Sequence, residues 1–83
     1  MRQEINSLLK SEVARMIEMP EASIDESVPL AELGMDSLQA LQLLVLIERT
    51  YKLQIGEDEL QKFTSIAAVA DVVMSHLALA QAS

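Results

Sequence analysis

The sequence predicts an all-α fold, a small helical bundle of three main helices plus one short helix. Apolar residues recur at spacings of three and four along much of the 83-residue chain, which is the period of helices buried on one face. Tyr51 and Phe63 are the only aromatic residues, so the core must be built from Leu, Ile, Val, Met and Ala, a composition that favours packed helices over a β-sandwich. We expect residues 1–83 to form a single domain, because helices this small are stable only when packed together.

The first helix is predicted from about residue 2 to residue 18. Its apolar side chains share one helical face, with charged residues opposite. The residues predicted on that face are Ile5, Leu8, Leu9, Val13, Met16 and Ile17. Pro20 cannot continue the helix and biases Met19 toward an extended conformation, so the helix should end just before them.

A long connection is predicted over residues 19–36. It contains two prolines and a glycine, and we expect one helical turn from Pro29 to Leu33 that ends at Gly34. Four apolar residues should hold the connection on the core: Ile24, Val28, Leu30 and Leu33. Connections longer than about 12 to 15 residues are uncommon in compact domains and are usually functional. This one either displays the residues that follow it or is only the span needed to cross the bundle.

The second helix is predicted from residue 37 to about residue 51. Asp36 should be its N-cap and Gln39 its N3 residue, which together form a capping box. One side of the helix is predicted to carry Ala40, Leu41, Leu44, Ile47, Glu48 and Tyr51. The other side is predicted to carry Gln39, Gln42, Leu46, Arg49 and Thr50, and Leu43 and Val45 lie near the borders between the two. Val45 and Leu46 have two interpretations: they belong to a central helix covered on most sides, or they form an exposed apolar strip for partners.

The last third of the chain predicts two more helices. After Gly56, a short third helix is expected over about residues 57–61, with acids in its first turn. The last helix should run from about residue 65 to 79, capped by Thr64 or Ser65, with residues 78–83 fraying. Its inward residues are predicted to be Ile66, Val69, Val72, Val73, Leu77 and Ala80. His76 is expected to be solvated near the end of this helix.

Charge and composition exclude several classes of function. The net charge is −7, from 13 acids against 6 bases, which disfavours nucleic acid and anionic membranes as partners. The absence of cysteine excludes disulfides and thiolate metal sites. The longest unbroken apolar run, Leu43 to Ile47, is far short of the ~20 residues of a membrane span, and the N-terminus lacks the pattern of a signal peptide. A monomeric cytoplasmic protein is therefore expected.

Ser37 stands out because it is predicted to be the first residue of the second helix. Its hydroxyl would lie at the positive end of the helix dipole, beside backbone N–H groups that lack partners. A phosphodiester attached there would be favoured by the same dipole and the same N–H groups. A serine in this position is, however, ordinarily no more than the start of a helix.

The segment Leu33-Gly34-Met35-Asp36-Ser37-Leu38 resembles the motif Leu-Gly-x-Asp-Ser-Leu around the modified serine of acyl carrier proteins. The order of elements is similar from about residue 3 to residue 79, including the entry Phe63-Thr64-Ser65-Ile66 to the last helix. The resemblance implies that a phosphopantetheinyl transferase attaches the 4'-phosphopantetheine of coenzyme A to Ser37, with Asp36 beside the arm. It also implies a carrier of acyl thioesters, not an enzyme. The initial Met and the ending just after the last helix suggest a discrete protein, but a domain excised from a larger synthase would look the same.

The second helix departs from the acidic ladder that the carriers of primary fatty acid synthesis present to basic partners. Gln39, Gln42 and Arg49 stand where acids are expected. We therefore expect docking to lean on apolar contacts. The predicted partner-binding residues are Met35, Leu38, Gln39, Gln42, Val45, Leu46 and Arg49. Polyketide or other specialised metabolism is the predicted pathway, with a ketosynthase, an acyltransferase or acyl ligase and other acyl-processing enzymes as partners; primary fatty acid synthesis is the alternative.

Three other functions compete with that of a carrier. A hydrolase would need a base beside Ser37, but His76 is the only histidine and the motif lacks the second glycine of a nucleophile elbow. The acidic segment 57–59 lacks the spacing of a calcium loop, so no metal site is predicted beyond loose, stabilising cation binding. An unmodified helical adaptor stays open, and Ser37→Ala discriminates it from a carrier because only the carrier would lose function.

Overall fold

The computed structural model describes residues 2–82 and has three α-helices. They are α1 (Arg2–Ile17), α2 (Ser37–Tyr51) and α3 (Ile66–Ala82), with short 3₁₀ helices at Glu21–Ser23 and Glu57–Lys62. No strand occurs in this part of the chain, so the prediction of an all-α bundle with one short helix near residues 57–61 is confirmed. The 3₁₀ helix at Glu21–Ser23 was not predicted.

The ends of the helices follow local backbone chemistry. At the end of α1 the Met19 N–H donates to the Ala14 carbonyl oxygen at 3.0 Å while Glu18 has a φ of +57°. This left-handed residue ends α1 at Ile17, one residue before the predicted end. The last helix, α3, continues to Ala82, past its predicted end near residue 79, whereas the fraying of residues 78–83 stays a prediction. This stretch is rich in alanine, the strongest helix former, and has no glycine or proline to end the helix; Ser83 lies outside the described residues.

The core is formed by side chains from all three α-helices. The largest fully buried residues are Ile5, Leu9, Val13, Leu43, Leu44, Ile47, Ile66, Val69 and Val73. Leu43 is 0% exposed, so its predicted place at a border of the apolar face is wrong. The reason is that α2 contacts both α1 and the 3₁₀ helix Glu57–Lys62, which cover it over a wider arc than one stripe.

Some predicted inward positions lie at the edge of the core. Leu8, Val28 and Leu77 are half-buried, and Ala80 is exposed in place of its predicted inward position. Leu79 is also 67% exposed, so the last turns of α3 leave a large apolar side chain in contact with water. No helix among residues 2–82 combines the length and the apolar character that a bilayer span requires.

The connection between α1 and α2 is tied to the start of α3. The Leu30 N–H donates to the Thr64 carbonyl oxygen at 2.8 Å, and the Ala67 N–H donates to the Glu26 carbonyl oxygen at 3.0 Å. The Ser65 hydroxyl oxygen accepts from the Ala68 N–H at 3.1 Å, so Ser65, and not Thr64, is the side-chain cap of α3. These bonds fix the path by which the chain reaches Asp36 and Ser37.

Candidate functional site

A tight turn directly before α2 brings the chain to Ser37. The predicted helical turn after Pro29 ends at Gly34, whose φ is +101°. The Met35 N–H donates to the Leu30 carbonyl oxygen at 3.1 Å and the Gly34 N–H to the Ala31 carbonyl oxygen at 3.2 Å, which is the hydrogen-bond pattern of a Schellman motif. Leu30 and Met35 are both buried in the core. The glycine is needed because a side chain would be strained at this φ.

The capping box predicted at the start of α2 is present. The Gln39 N–H donates to Asp36 Oδ1 at 2.8 Å, and the Asp36 N–H donates to Gln39 Oε1 at 3.1 Å. Two of the four N–H groups that a helix N-terminus leaves without intrahelical partners are therefore satisfied. The result is a rigid helix start immediately around Ser37.

Gln39 also links α2 to α1, which the sequence did not reveal. Its Nε2 atom donates to the Met16 carbonyl oxygen at 3.2 Å, near the end of α1. The side chain is half-buried and uses both of its polar atoms inside the molecule. Gln39 was predicted to contact partners; in the structure its amide holds the N-terminus of α2 against α1.

Ser37 itself is exposed. Within the described residues its hydroxyl has no hydrogen-bond partner, and neither do the backbone N–H groups of Ser37 and Leu38. A Cβ atom built on Gly34 would meet no other atom within 4 Å, so the space beside the turn is open. An exposed hydroxyl, two free donors and the positive end of a helix together suit an attached phosphodiester. The residues present therefore fit a phosphopantetheine group.

Among residues 2–82 no base forms a hydrogen bond with the Ser37 hydroxyl, as a hydrolase would require. His76 Nε2 lies 3.2 Å from Glu59 Oε1, in the 3₁₀ helix Glu57–Lys62. The His76 side chain is half-buried against this carboxylate, so the prediction that His76 is solvated is wrong. It is covered because the 3₁₀ helix Glu57–Lys62 packs on α3. The hydrogen bond from Lys62, followed by that from His76, holds the pKa of the Glu59 carboxyl below its usual value. Glu59 and His76 are therefore engaged with each other inside this chain, and within the described residues His76 forms no hydrogen bond with Ser37.

No metal centre occurs in the part of the chain that the structure describes. No group of three or more potential ligands among residues 2–82 is arranged to hold an ion. In the acidic segment at residues 57–59, Glu59 is already engaged by Lys62 at 2.8 Å and by His76. The segment stabilises the short helix through these pairs.

The predicted partner-binding residues do not all share one surface. Leu38 is 63% exposed and Val45 is 44% exposed, and Gln42 and Arg49 are also exposed. At spacings of four, three and four these residues form one stripe along α2, which we call the outer stripe (Leu38, Gln42, Val45 and Arg49). Of the two interpretations of Val45 and Leu46, exposure holds for Val45, whereas Leu46 is half-buried against the core.

Met35 is the most deeply buried of the predicted partner-binding residues. Its side chain is 8% exposed and belongs to the core cluster, so it is not part of the surface that the other residues form. The cause is the Schellman motif, which packs the residue after the glycine onto Leu30. The residue therefore supports the turn from inside.

Comparison with known proteins identifies the family of this chain. A family model described as "Phosphopantetheine attachment site" matches residues 7–73. The chain is 34% identical over 74 residues to a non-reducing polyketide synthase of Emericella nidulans, covering 89% of this chain and 3% of the synthase. It is 33% identical over 46 residues to an acyl carrier protein of Phytoplasma mali, covering 55% of each chain. The chain belongs to the acyl carrier family, whose phosphopantetheine-carrying domain is a carrier and not a catalyst and whose prosthetic group is 4'-phosphopantetheine.

Proposed function

We propose that Ser37 carries the phosphopantetheine group and that the chain presents acyl intermediates to biosynthetic enzymes. When attached, the group supplies a thiol that holds acyl chains as thioesters. The observation that carries the proposal is the Ser37 hydroxyl, which is exposed and without a partner among the described residues, at the capped start of α2 and inside the matched region.

The local geometry favours attachment at this oxygen. The Ser37 oxygen would bond to the phosphorus atom of the phosphopantetheine portion of coenzyme A and displace the adenosine-phosphate portion. A phosphopantetheinyl transferase would supply the base for the hydroxyl proton, because no group of this chain contacts that hydroxyl within residues 2–82. The free N–H groups of Ser37 and Leu38 would stabilise the resulting phosphodiester anion.

The proposed pathway is polyketide or other specialised biosynthesis. One relative that covers 89% of this chain is named a polyketide synthase. The outer stripe of α2 carries no acid, and the one acid of the helix is used internally: Glu48 Oε2 accepts from the Ile55 N–H at 2.9 Å and the Gly56 N–H at 3.1 Å. Charge steering of basic partners by α2 should therefore be weak. Primary fatty acid synthesis stays the alternative, since another relative is named an acyl carrier protein.

The proposed partners are those of an acyl carrier. After the phosphopantetheinyl transferase they would be a ketosynthase, an acyltransferase or acyl ligase and other acyl-processing enzymes. The chain spans 3% and 55% of the two relatives, so the pathway and partners of those proteins enter here only as proposals. A single domain over residues 1–83, a monomeric state and a cytoplasmic location also stay predictions.

Intact-protein mass spectrometry tests the attachment. The purified chain is incubated with coenzyme A and a promiscuous phosphopantetheinyl transferase, beside Ser37→Ala and the matched control Ser11→Ala, which replaces an exposed serine on α1. We expect the mass of one phosphopantetheinyl group on the wild type and on Ser11→Ala, and none on Ser37→Ala. No added mass on a wild type that is folded by circular dichroism would contradict the proposal and favour an unmodified adaptor.

A further inference from the structure

We propose that the groove between α1 and α2 is a docking site for an acidic protein surface, one that presents an aliphatic side chain flanked by carboxylates. The groove is lined by Arg15, Met16, Gln42, Val45, Leu46 and Arg49 and has a volume of about 350 Å³. We call it the arginine groove. The inference rests on the proposed carrier function and specifies the chemistry of a partner.

The arginine groove combines an apolar floor with a basic rim. Met16 and Leu46 are half-buried and pack on the core, and Val45 is 44% exposed beside them. These side chains would remain in contact with water unless a partner covered them, and covering apolar surface is favourable. None of the lining residues is acidic.

The rim is unusual for a chain with a net charge of −7. Four of the six basic residues form ion pairs with acids of this chain: Arg2 with Asp71, Lys10 with Glu26, Arg15 with Glu12 and Lys62 with Glu59. Within the described residues Arg49 has no such partner, and it is exposed on the groove. Arg49 and Lys52 are thus the two bases without an ion pair among the described residues, and Arg49 is the one that lines the groove.

Arg15 can also contribute to recognition of a carboxylate. Its pair with Glu12 uses one guanidinium nitrogen, Nη2. A guanidinium has five N–H donors, so donors remain for a second carboxylate. Within residues 2–82 Glu48, the one acid of α2, forms no ion pair with Arg49, and its Oε2 atom accepts from the Ile55 and Gly56 N–H groups. The basic rim is thus left available.

The chemistry of the groove selects among occupants. A free inorganic anion would gain nothing from Met16, Val45 and Leu46 on the floor. A purely apolar ligand would leave Arg49 without a partner. A second copy of this chain that docked through its own outer stripe would bring no carboxylate to Arg49, because that stripe carries no acid. A partner surface with both an aliphatic side chain and carboxylates satisfies floor and rim together.

The test is a titration of the full-length ¹⁵N-labelled chain, followed by NMR, with two synthetic helical peptides. Both peptides carry the same leucine face, flanked by glutamates in one and by lysines in the other. We expect the acidic peptide to shift the amide signals of the arginine groove and to bind more tightly than the basic one, with an affinity that falls as salt is added.

Two variants each remove one positive charge, one inside the arginine groove and one outside it. Arg49→Gln removes the unpaired cation of the groove, whereas Lys52→Gln removes the other base without a partner among the described residues, which does not line the groove. An exposed ion pair contributes up to about 1 kcal/mol. We therefore expect Arg49→Gln to lose about fivefold in affinity for the acidic peptide and Lys52→Gln to lose less than about twofold.

Equal binding of the two peptides, shifts confined to another surface, or equal effects of the two variants would overturn the inference. So would concentration-dependent shifts of groove signals without peptide, because these would identify a second copy as the occupant. Mass spectrometry on the same samples separates this inference from the carrier function. If the chain accepts phosphopantetheine but binds the acidic peptide no more tightly than the basic one, only the docking site is refuted. If a folded chain accepts no phosphopantetheine, the carrier proposal is refuted.

Discussion

On its inner face α2 presents Leu43, Leu44 and Ile47, which are at most 1% exposed, whereas on its outer stripe Leu38 and Val45 are 63% and 44% exposed. The inner residues contact the rest of the core and account for the place of α2 in the bundle. The outer residues add little to folding, since most of their surface stays in water. We therefore assign stability to the inner face and propose that the outer stripe contacts partners.

The comparison also explains why one helix can serve both purposes without conflict. Ser37 lies at the end of α2, where the capping box and the link from Gln39 to Met16 hold the backbone in place. The outer stripe begins one residue later, at Leu38. Under the proposed function, a partner would contact the outer stripe and reach an arm on Ser37 without disturbing the buried face.

The largest effect is expected from truncating the inner face. Leu44→Ala should lower the free energy of unfolding by about 2–5 kcal/mol, because it removes a fully buried side chain and leaves a cavity. Val45→Ala, the adjacent residue on the outer stripe, should change it by less than about 0.5 kcal/mol. Urea denaturation measures both. Similar losses of unfolding free energy in the two variants would contradict the assignment of stability to the inner face.

The next effect concerns Glu48, the acid that α2 uses internally. Glu48→Ala should cost about 1–3 kcal/mol, because the N–H groups of Ile55 and Gly56 lose a charged acceptor. Glu48→Gln should cost less, since the amide oxygen still accepts a hydrogen bond. Thermal unfolding of the three proteins distinguishes them. If Glu48→Ala unfolds like the wild type, the carboxylate belongs with the outward-facing groups after all.

A smaller effect is expected at the start of the helix. Asp36→Ala should destabilise the protein by about 1 kcal/mol through loss of the N-cap, while Asp36→Asn keeps an acceptor for the Gln39 N–H and should retain most of that stability. The comparison is made by chemical denaturation. A loss in Asp36→Asn as large as in Asp36→Ala would mean that charge, and not capping, is what Asp36 contributes.

The smallest effect concerns the 3₁₀ helix that contacts α2. The pKa of Glu59 is held below its ordinary value of 4.5 by Lys62 and then His76. A lowered carboxyl pKa adds stability above the pKa of the unfolded chain, and that stability is lost as the pH falls through the folded value. Glu59→Gln should therefore reduce the fall in melting temperature between neutral and acidic pH. An unchanged pH profile would show that the pair contributes nothing measurable.

The features of α2 that could be predicted from the sequence depend on local chemistry. Its bounds at Ser37 and Tyr51 and the capping box at Asp36 and Gln39 follow from residues within a few positions of each other. The exposure of Val45 was one of two open interpretations. Periodicity alone could not decide between them, because apolar side chains occur around most of this helix.

The features that the sequence could not predict depend on which elements meet. Leu43 is fully buried and Met35 belongs to the core because of how α1, the preceding turn and the 3₁₀ helix Glu57–Lys62 lie against α2. The hydrogen bond from Gln39 to Met16 joins residues far apart in sequence, and no local pattern signals it. The arginine groove likewise combines residues of two helices, so only the fold brings Arg15 and Arg49 to one surface.

The most direct test of the central claim locates the modification among the eight serines of the chain. After reaction with coenzyme A and a phosphopantetheinyl transferase, the protein is digested and analysed by tandem mass spectrometry. The account predicts that the whole added mass lies on the peptide that contains Ser37, and on its oxygen. Modification of a different serine, or none in a folded protein, would contradict it.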